Sequence, residues 1–147
     1  RCDQGTTTEV VSAEIDLGVN FFDTADMYRP QGLSEEFLVH ALAGRDRSSV
    51  VVATKFANPM GEAEHKRGAS RRYIMKAVED SLKRLNTDYI DLYQRHGPDP
   101  STPIEETLRA LDDLISQGKV RYIGNSNFSG WQLADADWTA QSHISPA

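Results

Sequence analysis

Val50-Val51-Val52-Ala53-Thr54-Lys55 opens as a run of β-branched and small residues and ends on a lysine. A short, nearly continuous apolar run reads as a strand covered on both faces, the usual state of a strand in a parallel sheet. A charged side chain at its end is the first hint of where chemistry lies. Three more runs have the same character: Val19-Asn20-Phe21-Phe22, Tyr89-Ile90-Asp91-Leu92-Tyr93 and Val120-Arg121-Tyr122-Ile123.

Helical periodicity fills the intervals. Ile74, Ala77, Val78, Leu82 and Leu85 recur at three- and four-residue steps, as do Ile104, Leu108, Leu111 and Ile115. Thr102-Pro103-Ile104-Glu105 predicts a capping box with proline at the first helical position. Ser34-Glu35-Glu36 puts acids where a helix dipole favours them. Gly18, Gly44 and Gly118, with Asn86, stand where left-handed C-terminal caps belong. Trp131 and Trp138, seven apart on the last helix, predict a core-facing stripe. The order is a helix followed by four strand–helix units, the signature of an α/β fold with a parallel sheet. Periodicity alone leaves open a doubly wound sheet and a piece of a (β/α)8 TIM barrel.

The reactive residues separate the two. Asp23 ends the first strand, with Tyr28 five residues on; Lys55 ends the second, His96 follows the third, and Ser126-Asn127 follow the fourth. All fall at C-terminal strand ends, where the catalytic residues of a (β/α)8 barrel converge. A doubly wound dinucleotide binder would show GxGxxG after its first strand, and none occurs.

The residue types suit carbonyl reduction. A phenol, with an ordinary pKa of about 10, gives up its proton more readily beside an ammonium that stabilises the phenolate. Tyr28 and Lys55 are the candidates for those two parts. Asp23 would keep a buried Lys55 charged and fixed, and His96 would orient the substrate oxygen through a hydrogen bond.

These motifs resemble the aldo-keto reductases. The resemblance is carried by Phe21-Phe22-Asp23-Thr24-Ala25-Asp26-Met27-Tyr28, Ala53-Thr54-Lys55, Leu92-Tyr93-Gln94-Arg95-His96-Gly97-Pro98-Asp99 and Ile123-Gly124-Asn125-Ser126-Asn127-Phe128. It implies a catalytic tetrad at Asp23, Tyr28, Lys55 and His96, cofactor contacts at Asp23, Ser126 and Asn127, and NADPH as the cofactor. Segments 68–74 and 118–124 resemble the bacterial and channel-subunit-like branches. A non-catalytic, cofactor-sensing subunit like the potassium-channel β-subunits of this fold is the alternative reading; by resemblance those subunits tend to carry another residue at the position of His96, and this chain keeps the histidine.

Two positions depart from the family pattern: Arg29 follows Tyr28 in place of glycine, and Arg95 stands at a usually apolar position beside His96. Nothing resembles the family's first strand or its last three. Residues 1–147 are therefore expected to be one incomplete barrel domain, with about four strands and five helices, inactive by itself.

The bulk properties narrow the partners. A net charge of −6 argues against nucleic acid, which wants a basic face. No apolar run is long enough to span a bilayer. One cysteine, Cys2, suits a reducing cytoplasm. The expected partner is a small carbonyl substrate. Glu62, Glu64 and His65 lack metal-binding spacing, so no metal is expected. His40, His65 and His143, with the basic cluster Lys66, Arg67, Arg71 and Arg72, read as structural or solvated side chains. Asp26 reads as solvent-facing, and Asp91 has no assigned role.

Overall fold

The computed structural model describes residues 3–28 and 30–143. Cys2, Arg29, residues 144–147 and the side chain of His143 lie outside that description. The elements are α1 (Gln4–Asp16), β1 (Phe21–Asp23), α2 (Leu33–Ala41), β2 (Val51–Phe56), α3 (Arg71–Arg84), β3 (Ile90–Arg95), α4 (Ile104–Ser116), β4 (Val120–Asn125) and α5 (Gly130–His143). Short 3-10 turns cover Arg47–Ser49 and Glu64–Lys66.

All four strands are parallel and lie in the order β1-β2-β3-β4. A doubly wound sheet reverses its order at a switch point. Here each strand instead pairs with its sequence neighbour, so every crossover steps the same way. Crossovers of one hand and one direction lay all the helices on one face. Neighbouring helices pack on one another along that face, α1 on α2 through to α4 on α5. The arrangement is that of a partial (β/α) barrel with four strands and five helices.

The register sorts alternate residues onto two faces. Phe22, Val52, Phe56 and Tyr93 point to the helices and meet Leu38, Ala41, Ile74, Ala77, Val78, Leu111 and Leu114 in one core. The Phe56 and Tyr93 rings stack there at 4.7 Å between centroids. Phe21 and Tyr122, on the other face, are 49% and 71% exposed. At the N-terminal end of the sheet, Asp91 accepts from Arg47 Nη2 at 2.7 Å and from Val52 N at 2.9 Å, a structural role.

Most of the expected punctuation is present. Gly18, Gly44, Gly118 and Asn86 all have positive φ. Ser70 caps α3 by accepting from Tyr73 N. Three expectations fail for identifiable reasons. Thr102 does not cap α4: the helix begins at Ile104 with Pro103 at its N-cap, which leaves Thr102 one position too early, and its hydroxyl donates to the Asp99 carboxylate at 2.8 Å. The buried stripe of α4 runs through Thr107, Leu108, Ala110, Leu111 and Leu114, leaving Ile115 38% exposed. Trp131 and Trp138 are 71% and 69% exposed, because α5 buries Ala136 and Thr139 instead.

The loop after β2 closes at its base. Gly68 N donates to Ala57 O at 2.8 Å, and Ala69 N to Asp99 Oδ2 at 2.8 Å. A side chain at Gly68 would put its Cβ 2.9 Å from that same oxygen, at a φ of +92°. Burial works against the Asp99 charge, yet hydrogen bonds from Ser101, Ala69 and Thr102 hold its carboxyl at about 2.

Candidate active site

Asp23 is the last residue of β1, and Lys55 lies two residues beyond its register partner Ala53 on β2. Period-2 alternation therefore turns both to the uncovered face. The Lys55 side chain is 7% exposed, which only a charge partner makes tolerable. Its Nζ is ion-paired with Asp23 Oδ2 and donates to Thr24 O at 2.9 Å. The second Asp23 oxygen accepts from Gln94 Nε2 at 3.1 Å. Gln94, the register partner of Lys55 on β3, received no role from the sequence. Its signal was parity: Leu92, Gln94 and His96 fall on one face of an extended chain.

The turn after β1 brings Tyr28 back over the lysine. Thr24 N donates to Ala53 O at 2.9 Å and Asp26 N to Lys55 O at 3.2 Å, so the chain follows β2 before turning away. Lys55 Nζ lies 5.6 Å from the Tyr28 ring centroid. Tyr28 in turn meets His96 edge to face, with centroids 5.8 Å apart. The four residues singled out from sequence are thus brought together at the C-terminal ends of the strands, around an open surface on which Tyr28 is 40% exposed.

Burial is the main force lowering the His96 pKa; Lys55 adds to it and Asp23 opposes it. The imidazole is therefore neutral near pH 7. Its Nδ1 is buried and has no hydrogen-bond partner among the described residues. A buried orphaned N–H is rarer than an orphaned acceptor, so the proton belongs on Nε2, the form that can donate.

Ser126 and Asn127 follow β4. Ser126 N donates to Arg95 O at 2.8 Å, and Asn127, left-handed at φ 60°, donates from Nδ2 to His96 O at 2.7 Å and to Ser126 Oγ at 3.2 Å. This pair is tied directly to the residue carrying the imidazole.

Arg95 turns away from the open face, and Asp26 differs from expectation. Arg95 adjoins His96 in sequence but points to the helix side, 3% exposed, with Nε donating to Gly97 O at 3.0 Å and its guanidinium 5.1 Å from the Phe128 ring centroid. Burial lowers its pKa, and Asp99 opposes that. Asp26 is 1% exposed, not solvent-facing, and among the described residues neither carboxyl oxygen has a hydrogen-bond partner. Burial first, then the Glu35 charge, pushes its pKa up to about 7 against the pull of Arg84. Glu35, fully buried, is satisfied by Arg84 Nε at 2.5 Å and Thr54 Oγ1 at 2.7 Å.

Among the described residues no group of three or more His, Cys, Asp or Glu side chains is placed to hold a metal ion, and no helix is long and apolar enough to cross a membrane. His40 and His65 are exposed. Arg71 pairs with Asp113 at 2.5 Å and Arg67 with Glu64 at 3.5 Å.

The aldo/keto reductase family model matches residues 1–146. The chain belongs to the aldo/keto reductase family. Among aldo/keto reductase relatives, it is 46% identical over 133 residues to the aldo-keto reductase YhdN of Bacillus subtilis (strain 168), covering 89% of this chain and 40% of that protein. It is 39% identical over 148 residues to the uncharacterized oxidoreductase YrpG of the same strain, covering 95% and 45%. It is also 40% identical over 131 residues to a probable voltage-gated potassium channel subunit beta of Oryza sativa subsp. japonica, covering 88% and 39%. The chain thus spans less than half the length of these relatives, and that span contains the Asp23–Tyr28–Lys55–His96 cluster.

Proposed function

We propose that this chain carries the proton-donating side of a cytoplasmic, NADPH-dependent reductase of aldehydes and ketones, as part of a single (β/α)8-barrel domain. The carrying observation is the buried Lys55 ammonium, paired with Asp23, beneath a Tyr28 ring that also meets His96. A bound reduced nicotinamide supplies the hydride, and with it the two electrons, that reach the carbonyl carbon. The Tyr28 hydroxyl donates its proton to the carbonyl oxygen, completing the alcohol. Lys55 stabilises the phenolate left behind, and Asp23 with Thr24 O keeps the ammonium in place. His96, neutral, donates a hydrogen bond to the substrate oxygen and fixes its approach.

The residues present fit a carboxamide. Ser126 Oγ accepts from Asn127 Nδ2, which leaves the serine proton free to donate and Asn127 Oδ1 free to accept. One donor and one acceptor complement the C=O and NH2 of a nicotinamide carboxamide.

In the enzyme carrying this chain, Tyr28→Phe should lower carbonyl reduction by about 10²–10⁴-fold, the usual worth of a positioned general acid. NADPH affinity, followed by fluorescence titration, should stay near wild type. Undiminished turnover of an aromatic aldehyde would move the acid elsewhere. The likeness to the Oryza sativa subunit favours a second reading, a cofactor-sensing regulatory subunit. That reading expects NADPH binding without aldehyde turnover even in the wild type.

A further inference from the structure

We propose that Gln94 is a positioning residue for the Asp23–Lys55 pair: it grips one carboxylate oxygen so that the other faces the ammonium. The inference rests on the reading of Lys55 as the cation behind Tyr28. Asp23 stands at the end of a three-residue strand with its side chain 44% exposed. A half-exposed carboxylate held by a single ion pair is free to swing, and exposed pairs contribute little because that freedom must be lost. The Gln94 amide removes the freedom by adding a second anchor from β3. Each Asp23 oxygen then has its own partner, one on each of two successive strands.

Glutamine is the side chain the position calls for. An Arg or Lys there would compete for Asp23 and repel the Lys55 ammonium. A Glu or Asp would repel Asp23 and draw Lys55 away. A neutral amide orients the carboxylate without changing the charge that Lys55 experiences. The amide orientation follows from the same argument, since turning Oε1 toward a carboxylate oxygen would oppose two acceptors.

The fourth strand completes the arrangement. Gly124 is the register partner of Gln94, and a Cβ there would lie 3.3 Å from Gln94 Cγ, 3.4 Å from Leu92 Cδ1 and 3.7 Å from Gln94 Oε1. The bare backbone of β4 is the floor on which the Gln94 stem lies. Asp23, Lys55, Gln94 and Gly124 thus contribute one position from every strand.

The test compares Gln94→Met, Gln94→Glu, Gly124→Ala and Tyr28→Phe in the enzyme carrying this chain. The readouts are kcat, KM for an aromatic aldehyde, NADPH affinity, melting temperature and the pH profile of kcat. Gln94→Met should lower kcat by about 10–150-fold, the scale of one lost hydrogen bond to a charged group, with KM and NADPH affinity within about twofold. Gln94→Glu should fall further near pH 8 and recover toward pH 5, as the new carboxyl gains a proton and becomes a donor. Gly124→Ala should give a smaller loss of kcat by pressing on the Gln94 stem. Wild-type kcat and pH profile in Gln94→Met, beside an inactive Tyr28→Phe, would overturn the proposal while leaving the site reading intact. A lowered melting temperature with unchanged kcat would do the same. Full activity in Tyr28→Phe would instead remove the reading on which the proposal rests.

Discussion

The two faces of the sheet are made from alternate residues of the same four strands, yet they have little in common. Toward the helices, Val52, Thr54, Phe56 and Tyr93 are at most 2% exposed, and Phe56 stacks on Tyr93. Away from the helices, Phe21 and Tyr122 are open to solvent, and Asp23, Lys55 and Gln94 are joined by an ion pair and a hydrogen bond. The dry face fixes strand positions through packing. The open face uses those positions to hold Asp23, Lys55 and Gln94 in a fixed arrangement, which the proposed chemistry needs more than burial.

That contrast can be broken most forcefully from the dry side. Phe56→Ala should cost about 3–5 kcal/mol, the usual penalty for emptying a fully buried aromatic site. Urea unfolding measures it, and a loss below about 1 kcal/mol would mean that the core closes over the gap.

Asp26, a buried carboxyl with no hydrogen-bond partner among the described residues, gives the next largest effect. It lies with Glu35 of α2, with Tyr73, Lys76, Asp80 and Arg84 of α3, and with His65 and Lys66 of the loop after β2; nearby, the buried Tyr93 hydroxyl of β3 has no hydrogen-bond partner among the described residues. Its folded pKa of about 7 exceeds the ordinary value of 3.8. Between those values the folded protein holds a proton that the unfolded chain has released. Stability should therefore fall as pH rises from about 4 to about 7 and level off above, by at most roughly 4 kcal/mol from this group. Asp26→Asn should melt near wild type at pH 5 and above it at pH 8. A melting difference that does not grow with pH would mean that Asp26 finds donors in solution.

The smallest effect belongs to the open face. Tyr122→Ser should change stability by no more than about 0.5 kcal/mol. Residues 1–147 expressed by themselves should self-associate through this face and the free strand edges, and the serine variant should do so less. Sedimentation of both proteins sharpens the comparison; monomers in each case would show that the face needs no cover.

What the sequence made legible were the features decided locally. Strand ends, left-handed caps and the alternation of βα units follow from neighbours in the chain, so Asp23, Lys55 and His96 could be placed before any coordinates. What stayed hidden was decided by distant partners. Gln94 acquires meaning only when the register sets it beside Lys55 and within reach of Asp23. Asp26 sits in a polar stretch, and only the approach of Glu35 and Arg84 seals it from water. Trp131 and Trp138 share a stripe, but contact with α4 selects the opposite side of α5. Thr102 reads as a cap, but α4 starts one residue later, behind Pro103, and the threonine hydroxyl donates to Asp99.

The clasp formed by Asp99 and the Ala57–Gly68 hydrogen bond carries a consequence for how such a protein diversifies. Residues 58–67 hang from a knot tied below them, on the rim where β2 delivers Lys55. Loop-closure entropy grows slowly, by only about 0.6 kcal/mol for each doubling in length. The knot therefore separates inheritance from invention: the segment above it can lengthen, shrink or be grafted from elsewhere while the lysine below keeps its register. A new loop can then arise by cassette exchange, without disturbing the Asp23–Lys55 pair.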